Sequence, residues 1–207
     1  MTVLTKWPEA VRDAHLHECL PTDRNMTESL IKERFRQSFG ADLHTLMPRL
    51  FTLRGGDGDL LCAFGLCEAS SYRLYMEQYL DEPVEAAISR LSGESVERAK
   101  VIEVGNLAAL PGNARTMIVT VTRFLYEAGF HWVVFTGVAG LRAAFTRLGL
   151  KPQVIAKADP ARLEPEDLVK WGNYFAAMPQ VMAGDIRYGY QKLSAEDGAN
   201  LISWQSA

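Results

Sequence analysis

Cysteine is scarce in this chain of 207 residues, with 3 in all. An odd number cannot pair completely. Two of them, Cys62 and Cys67, stand five apart in an extended-looking run, which sends their side chains to opposite faces of a strand. That spacing excludes a disulfide or a shared zinc between them. Cys19, Cys62 and Cys67 read as small hydrophobes in a reducing compartment, and no metal site is expected. Long apolar runs are also missing. None approaches the roughly 18 residues that a membrane helix needs. The opening MTVLTKWPEAVRDAHLHECL breaks every short apolar patch with charge or proline, leaving no signal-peptide core. A cytoplasmic protein with no membrane span is the expectation. Basic clusters are the third absence: 22 lysines and arginines against 25 aspartates and glutamates give a formal charge of -3. With no dense basic run to meet a phosphate backbone, nucleic acid is excluded as a partner.

What the chain does have is 48% hydrophobic and 23% charged residues, the mix of an ordinary globular domain. A chain of this size removes roughly 70% of its unfolded surface from water, enough for one core without staples. Residues 1–24 read as an N-terminal arm, 25–190 as the folded domain and 191–207 as a polar C-terminal tail. Asn25 and Glu28 stand at capping-box spacing before a stripe of Leu30, Ile31, Phe35 and Phe39 that Gly40 ends. Leu50–Leu53 and Leu60–Phe64 flank the glycine-rich segment 54–59, a hairpin signal. Tyr72, Tyr75, Met76, Tyr79 and Leu80 fall at helical spacing, and Pro83 opens a second helix toward Gly93. Then come a strand over Val101–Leu110, a turn at Pro111–Ala114, a helix to Ala128 and a strand at Trp132–Thr136 that is apolar on both sides. A helix over Leu141–Leu148 and a strand at Gln153–Ala156 follow. This alternation is an α/β layer architecture, with parallel pairing between the first two of these strands and helices on both faces of the sheet. Residues 158–207 are turn-rich, with a helix from Pro165.

Three places carry chemistry. At Gly112, Asn113, Ala114 and Arg115 a turn enters a helix, so unpaired N–H groups and the positive end of the helix dipole converge, with Arg115 able to add charge; such a place binds phosphate. The same residues also serve as plain turn and cap chemistry. Glu103 is a carboxylate inside a Val/Ile strand, where it must be paired, hydrogen-bonded, protonated or turned to a wet cleft. A cleft-facing carboxylate with a raised pKa suits amine deprotonation; a structural pair with Arg142 is the other option. Gly105 in that strand suggests a bulge or a close backbone approach, and Asn106 aims a polar group at one face. Trp171, Tyr174, Phe175, Met178 and Met182 are either core or the lining of an acyl pocket. Arg142, Trp171 and Asn173 are the candidate substrate contacts.

The strand followed by Gly112-Asn113-Ala114 resembles the core of GNAT acyltransferases, whose loop holds a pyrophosphate on backbone N–H groups; Ala109 stands where that loop carries Gln or Arg. Ile102–Leu107 is similar to the Glu-x-Ser-Arg-Phe strand of acyl-homoserine-lactone synthases, with Gly105-Asn106 in place of Ser-Arg. The fullest resemblance is to the bacterial family called thermostable hemolysin. It rests on Glu77–Asp81, Glu103–Ala108, Gly112–Arg115, Trp132–Thr136, Leu141-Arg142, Arg147–Leu150, Ala158–Pro160 and Trp171–Tyr174, in order, over residues 27 to 187. The resemblance implies a GNAT-like mixed central sheet and transfer of an acyl group from a thioester to an amine of a small molecule. The donor would be acyl-coenzyme A or the phosphopantetheine of an acyl carrier protein, and no metal is needed. Its phosphate would sit at Gly112–Arg115 and its arm along Leu107, Ala108 and Ala109, with Glu103 as base and Asn106 beside the oxyanion. The family label implies hemolysis instead, and a non-catalytic thioester-binding module is a further alternative.

Overall fold

The computed structural model describes residues 13–202, with side chains to residue 195. The first half of the expected arm (1–12) and the last residues of the expected tail (203–207) lie outside the described residues. Seven strands form one sheet: β1 His15–Glu18, β2 Arg49–Arg54, β3 Leu60–Glu68, β4 Val101–Ala109, β5 Trp132–Gly137, β6 Gln153–Lys157 and β7 Gln180–Asp185. Their order across the sheet is β1-β2-β3-β4-β5-β7-β6. Only β4 and β5 pair in parallel; the remaining neighbours are antiparallel. The parallel pair is the one the strand–turn–helix–strand reading anticipates, because such a crossover returns the chain in the same direction.

Strand periodicity divides the apolar residues between two faces. On one face Phe51, Phe64 and Ile102 pack under α3 (Ala114–Glu127), α4 (Ala139–Arg147) and α6 (Ile186–Ile202), whose Met117, Leu125, Ala144 and Ile186 complete that core. On the other, Leu50, Ala63 and Ala108 meet Ile31 and Phe35 of α1 (Arg24–Phe39). Further along the same face Val101, Val134 and Val181 meet Val84 and Ile88 of α2 (Val84–Ser92). Cys62 lies under the first set of helices and Cys67 under the second, as their spacing requires.

Two local readings change, and two features go beyond what the sequence pattern showed. The capping box at Asn25 does not form: α1 starts one residue earlier behind Asp23, and Glu28 pairs with Arg24 (2.8 Å) and Lys32 (3.5 Å). The helix expected across Tyr72–Leu80 is a short 3-10 turn at Tyr75–Tyr79, since Leu80 is already extended. β7 enters between β5 and β6, so the strand after α4 does not neighbour β5. Its apolar core is the triplet Val181-Met182-Ala183 between Pro179 and Gly184, too short to show a period. Within the stretch read as a tail, α6 runs on to Ile202 and Leu193 is buried.

One contact locks α1 to the chain beyond α5 (Pro165–Lys170). The Asn173 N–H donates to Phe39 O (2.8 Å) and the Asp42 N–H to Lys170 O (2.7 Å). Between them Gly172 adopts φ 52°, and a Cβ there would stand 2.3 Å from Phe39 O and 2.7 Å from Gly40 O. Both obstacles are backbone, so nothing swings aside. Gly172→Ala is expected to lower unfolding free energy by about 3 kcal/mol in urea titration; a loss within about 0.5 kcal/mol, as at an ordinary surface site, would contradict this packing.

Candidate active site

The parallel ladder between β4 and β5 is short: Val101, Ile102 and Glu103 face Trp132, Val133 and Val134, and there it ends. β5 stays with β7 as far as Gly137 opposite Gln180, so β4 is the strand that leaves. The cause is a bulge. Ala63 faces Ala108 and Gly65 faces Gly105, so Phe64 alone is opposed by two residues, Asn106 and Leu107. Asn106 takes φ 52°, a left-handed conformation that a non-glycine residue adopts only with support. Its Oδ1 accepts the Met47 N–H at 2.8 Å. Arg24 grips the same loop from outside, donating to Met47 O (3.1 Å) and Pro48 O (2.9 Å). Met47 in turn lies across the paired glycines: a Cβ at Gly65 would sit 2.6 Å from Met47 Cβ, and one at Gly105 2.4 Å from Met47 Cε. The glycine noted in the sequence thus marks both a bulge and a close approach.

Where the strands part, a cavity of about 750 Å³ passes through the sheet. Asn106, Leu107, Ala109, Ala114 and Trp171 line it, together with Met117, Val121 and Leu125 of α3 and Phe145 of α4. Beyond Glu103 the β5-side backbone edge of β4 has no ladder partner and faces this space. Ala108 points the other way, into the core under α1. At the head of α3, Pro111, Gly112 and Arg115 are exposed. Asn113 makes no side-chain cap, and the helix's own first turn holds no acidic residue. The Ala109 carbonyl is taken by Arg34 Nη2 at 3.2 Å. Glu103, Gly112, Asn113, Arg115, Arg142 and Asn173 do not line the cavity.

Glu103 is 2% exposed. Its Oε2 accepts the Tyr75 N–H (2.8 Å) and its Oε1 the Met76 N–H (3.3 Å), so its partner is the turn 75–79 and not Arg142. Arg142 instead gives Nη1 to Gly137 O at 2.9 Å, capping the end of β5. Burial pushes the Glu103 carboxyl up to about 8, opposed by the two N–H groups and assisted by the Glu77 carboxylate. Glu77 has the opposite balance. Burial alone would raise it, but Arg98 holds both its oxygens (2.7 and 2.9 Å), the Val84 and Leu74 N–H groups add to that, and it falls to about 2. Arg98 and Glu77 therefore fix the turn whose N–H groups hold Glu103. Sequence reading missed Met47, a lone residue in an irregular segment with no period to betray it, and took Tyr75 only as part of a helical stripe; Trp171 Nε1 donates to Tyr75 Oη at 2.9 Å. Among the described residues no group of histidines, cysteines and carboxylates could hold a metal ion.

The two carboxyls act on stability with opposite signs. Glu103 is raised above the ordinary 4.5, so its contribution is full below that value and is lost as pH climbs through about 8. Glu77 is lowered, so its contribution is full above 4.5 and is lost as pH falls through about 2. In urea titrations from about pH 5 to 8, Glu103→Gln should flatten the decline by about 1.4 kcal/mol per pH unit relative to wild type. Parallel curves would contradict the burial of Glu103.

Solved structures share this sheet. FeeM, an N-acyl amino acid synthase from uncultured soil microbes, superposes with a TM-score of 0.57 at 15% identity, over 86% of this chain and 93% of that one. The AHL synthase LasI gives 0.52 at 10% identity, over 84% and 89%. BjaI, a CoA-dependent acyl-homoserine lactone synthase in complex with SAM and isopentyl-CoA, gives 0.52 at 13%, over 89% and 90%. At such identities the likeness establishes the fold, a GNAT-like mixed sheet with helices on both faces. No curated protein matches the sequence. The model of the family described as thermostable hemolysin matches residues 18–190, a span that holds the parted strands, the turn at Gly112 and the wall at Trp171. The chain belongs to the thermostable hemolysin family.

Proposed function

We propose that this protein is an N-acyltransferase, moving an acyl group from a thioester to a small-molecule amine. The observation that carries the reading is the apolar cavity opened by the parting of β4 from β5. Its edge is unpaired strand backbone, and the exposed head of α3 lies beside it. A thioester arm needs both: amide partners along its length and a positive helix end for its phosphate. The solved relatives whose names describe acyl synthases, one with a CoA thioester bound, support the same chemistry.

In this reading the phosphate of coenzyme A, or of a carrier protein's phosphopantetheine, rests on Gly112–Arg115, and the arm follows the edge from Ala109 to Leu107. The acyl tail runs beneath α3 from Ala114 to Leu125, a path of about 16 Å at the helical rise. One bilayer leaflet's hydrocarbon is about 15 Å deep, so the channel suits a long fatty acyl tail. The amine nitrogen attacks the thioester carbonyl carbon, and backbone N–H groups freed at Asn106-Leu107 receive the developing oxyanion. The C–S bond then breaks, the amide keeps the acyl group, and the thiol leaves with the amine's proton. Glu103 accepts that proton through a water admitted beside Gly105 and passes it to the sulfur; a carboxyl near pH 8 is matched to this task. Three unpaired cysteines suit action in a reducing cytoplasm.

Incubation with a panel of acyl-CoA and acyl-carrier thioesters and amines, with amides identified by mass spectrometry, tests the reading; no amide from any pair would overturn it. Ala144→Phe narrows the channel, and its selectivity for long over short tails should drop about tenfold for each two methylenes excluded. Glu103→Gln should lower kcat about 100-fold and remove the rise of rate with pH approaching 8. An unchanged pH profile would remove Glu103 from the reaction.

A further inference from the structure

The cavity has two chemically unlike ends. At one, near the start of β5 where Trp132 faces Asp185, its wall includes Glu94, Lys151, Asp185 and Arg187. At the other, where β4 and β5 part, the wall on the α1 side is Phe35, Ser38, Phe39, Asn106, Trp171 and Tyr174, without a charged side chain. The rings form a corner: Phe39 to Tyr174 is 5.0 Å between centroids, Trp171 to Tyr174 is 4.9 Å and Phe35 to Trp171 is 6.1 Å. It is rigid. Trp171 is tied to the Tyr75 hydroxyl, and the backbone at Gly172 is wedged against Phe39 and Gly40. The arginines nearby face elsewhere, Arg34 to Ala109 O and Arg142 to Gly137 O, and neither lines the cavity.

We infer that this aromatic corner is the acceptor site and that it takes an arylalkylamine, an amine on an apolar aromatic body with no carboxylate. The inference rests on the acyl-transfer reading. Its own basis is the composition of the wall. An amino acid brought here would carry its carboxylate into an apolar space where, among the described residues, no cation lines this end of the cavity, at a heavy desolvation cost. An amine without the carboxylate carries the smaller cost: its charged form meets ring faces, and desolvation favours the neutral form that attacks. Its aromatic body stacks in the corner while the nitrogen points to the gap beside Asn106. There the N–C bond of the amide forms as the C–S bond of the donor breaks, and the amine's proton leaves on the thiol.

The test pairs phenethylamine with phenylalanine, which differ by the carboxylate alone. Calorimetric titration of the intact protein without donor should show phenethylamine binding at least about tenfold more tightly. Trp171→Ala should lose this binding by about the same factor while binding decanoyl-CoA as wild type does. Ser38→Arg, at an exposed position, should raise phenylalanine binding by supplying the missing cation. Phenylalanine binding as tightly as phenethylamine, phenethylamine failing to bind, or Trp171→Ala leaving its affinity unchanged would each overturn the inference. If phenethylamine binds at Trp171 but no donor is consumed, the acceptor site stands and acyl transfer falls. If donors are consumed with phenylalanine preferred, acyl transfer stands and this inference falls.

Discussion

A single hydrogen bond, from the Met47 N–H to Asn106 Oδ1, supports the geometry on which the rest of this protein depends. It holds Asn106 in a left-handed conformation in the middle of a strand, where most side chains would be strained. The bulge that results shifts β4 out of register with β3 and away from β5. Met47 can reach that position only because Gly65 and Gly105, opposite each other on the two strands, present no side chains. Filling either would press on Met47, and the more constrained clash is at Gly65, where the obstacle is Met47 Cβ rather than the mobile tip of the side chain. Arg24 closes the arrangement from the outer side through Met47 O and Pro48 O. A hole in a β-sheet is costly, since it forgoes ladder bonds and dispersion contacts. Here the loss is confined to the end of β4, while β5 keeps its full pairing with β7.

A second constraint runs through buried charge. Glu103 lies at the last residue of the parallel ladder, and Glu77 belongs to the neighbouring turn Tyr75–Tyr79. Two carboxyls in one apolar region are affordable because their environments differ. Arg98 neutralises Glu77, whereas Glu103 receives only N–H dipoles. The first is therefore pinned as an anion and the second is left near neutrality, free to take or give a proton. The same turn carries Tyr75, whose hydroxyl holds the Trp171 indole at the cavity wall. Electrostatics at Arg98 are thereby linked through the turn to the shape of the site.

Much of this was legible in the sequence, and the reasons for the rest are physical. α3 has apolar residues at helical spacing and β5 is a short run apolar on both sides, so both announce themselves. The β4 glycine announced a bulge or a close approach, and both occur. Gly112 to Arg115 announced a turn entering a helix, and there Gly112 and Arg115 are exposed while Asn113 and Ala114 are half-buried. By contrast, β7 is a three-residue apolar run in a turn-rich stretch, and its place between β5 and β6 comes from pairing across the sheet. Glu103 could be identified as an anomaly, but its partners are main-chain groups of a turn with no signature of its own. Met47 and Gly65 act across 18 residues of sequence through shape alone, which no local pattern encodes.

The most direct test is a crystal structure with a non-cleavable decanoyl-phosphopantetheine analogue, the portion common to both donor sources. The phosphate is expected on the first turn of α3 at Gly112–Arg115, the arm between β4 and β5 beside Leu107, and the tail under Met117, Val121 and Leu125. A ligand bound elsewhere, with the gap between the strands closed or filled by side chains, would contradict an acyl-transfer site at this place in the sheet.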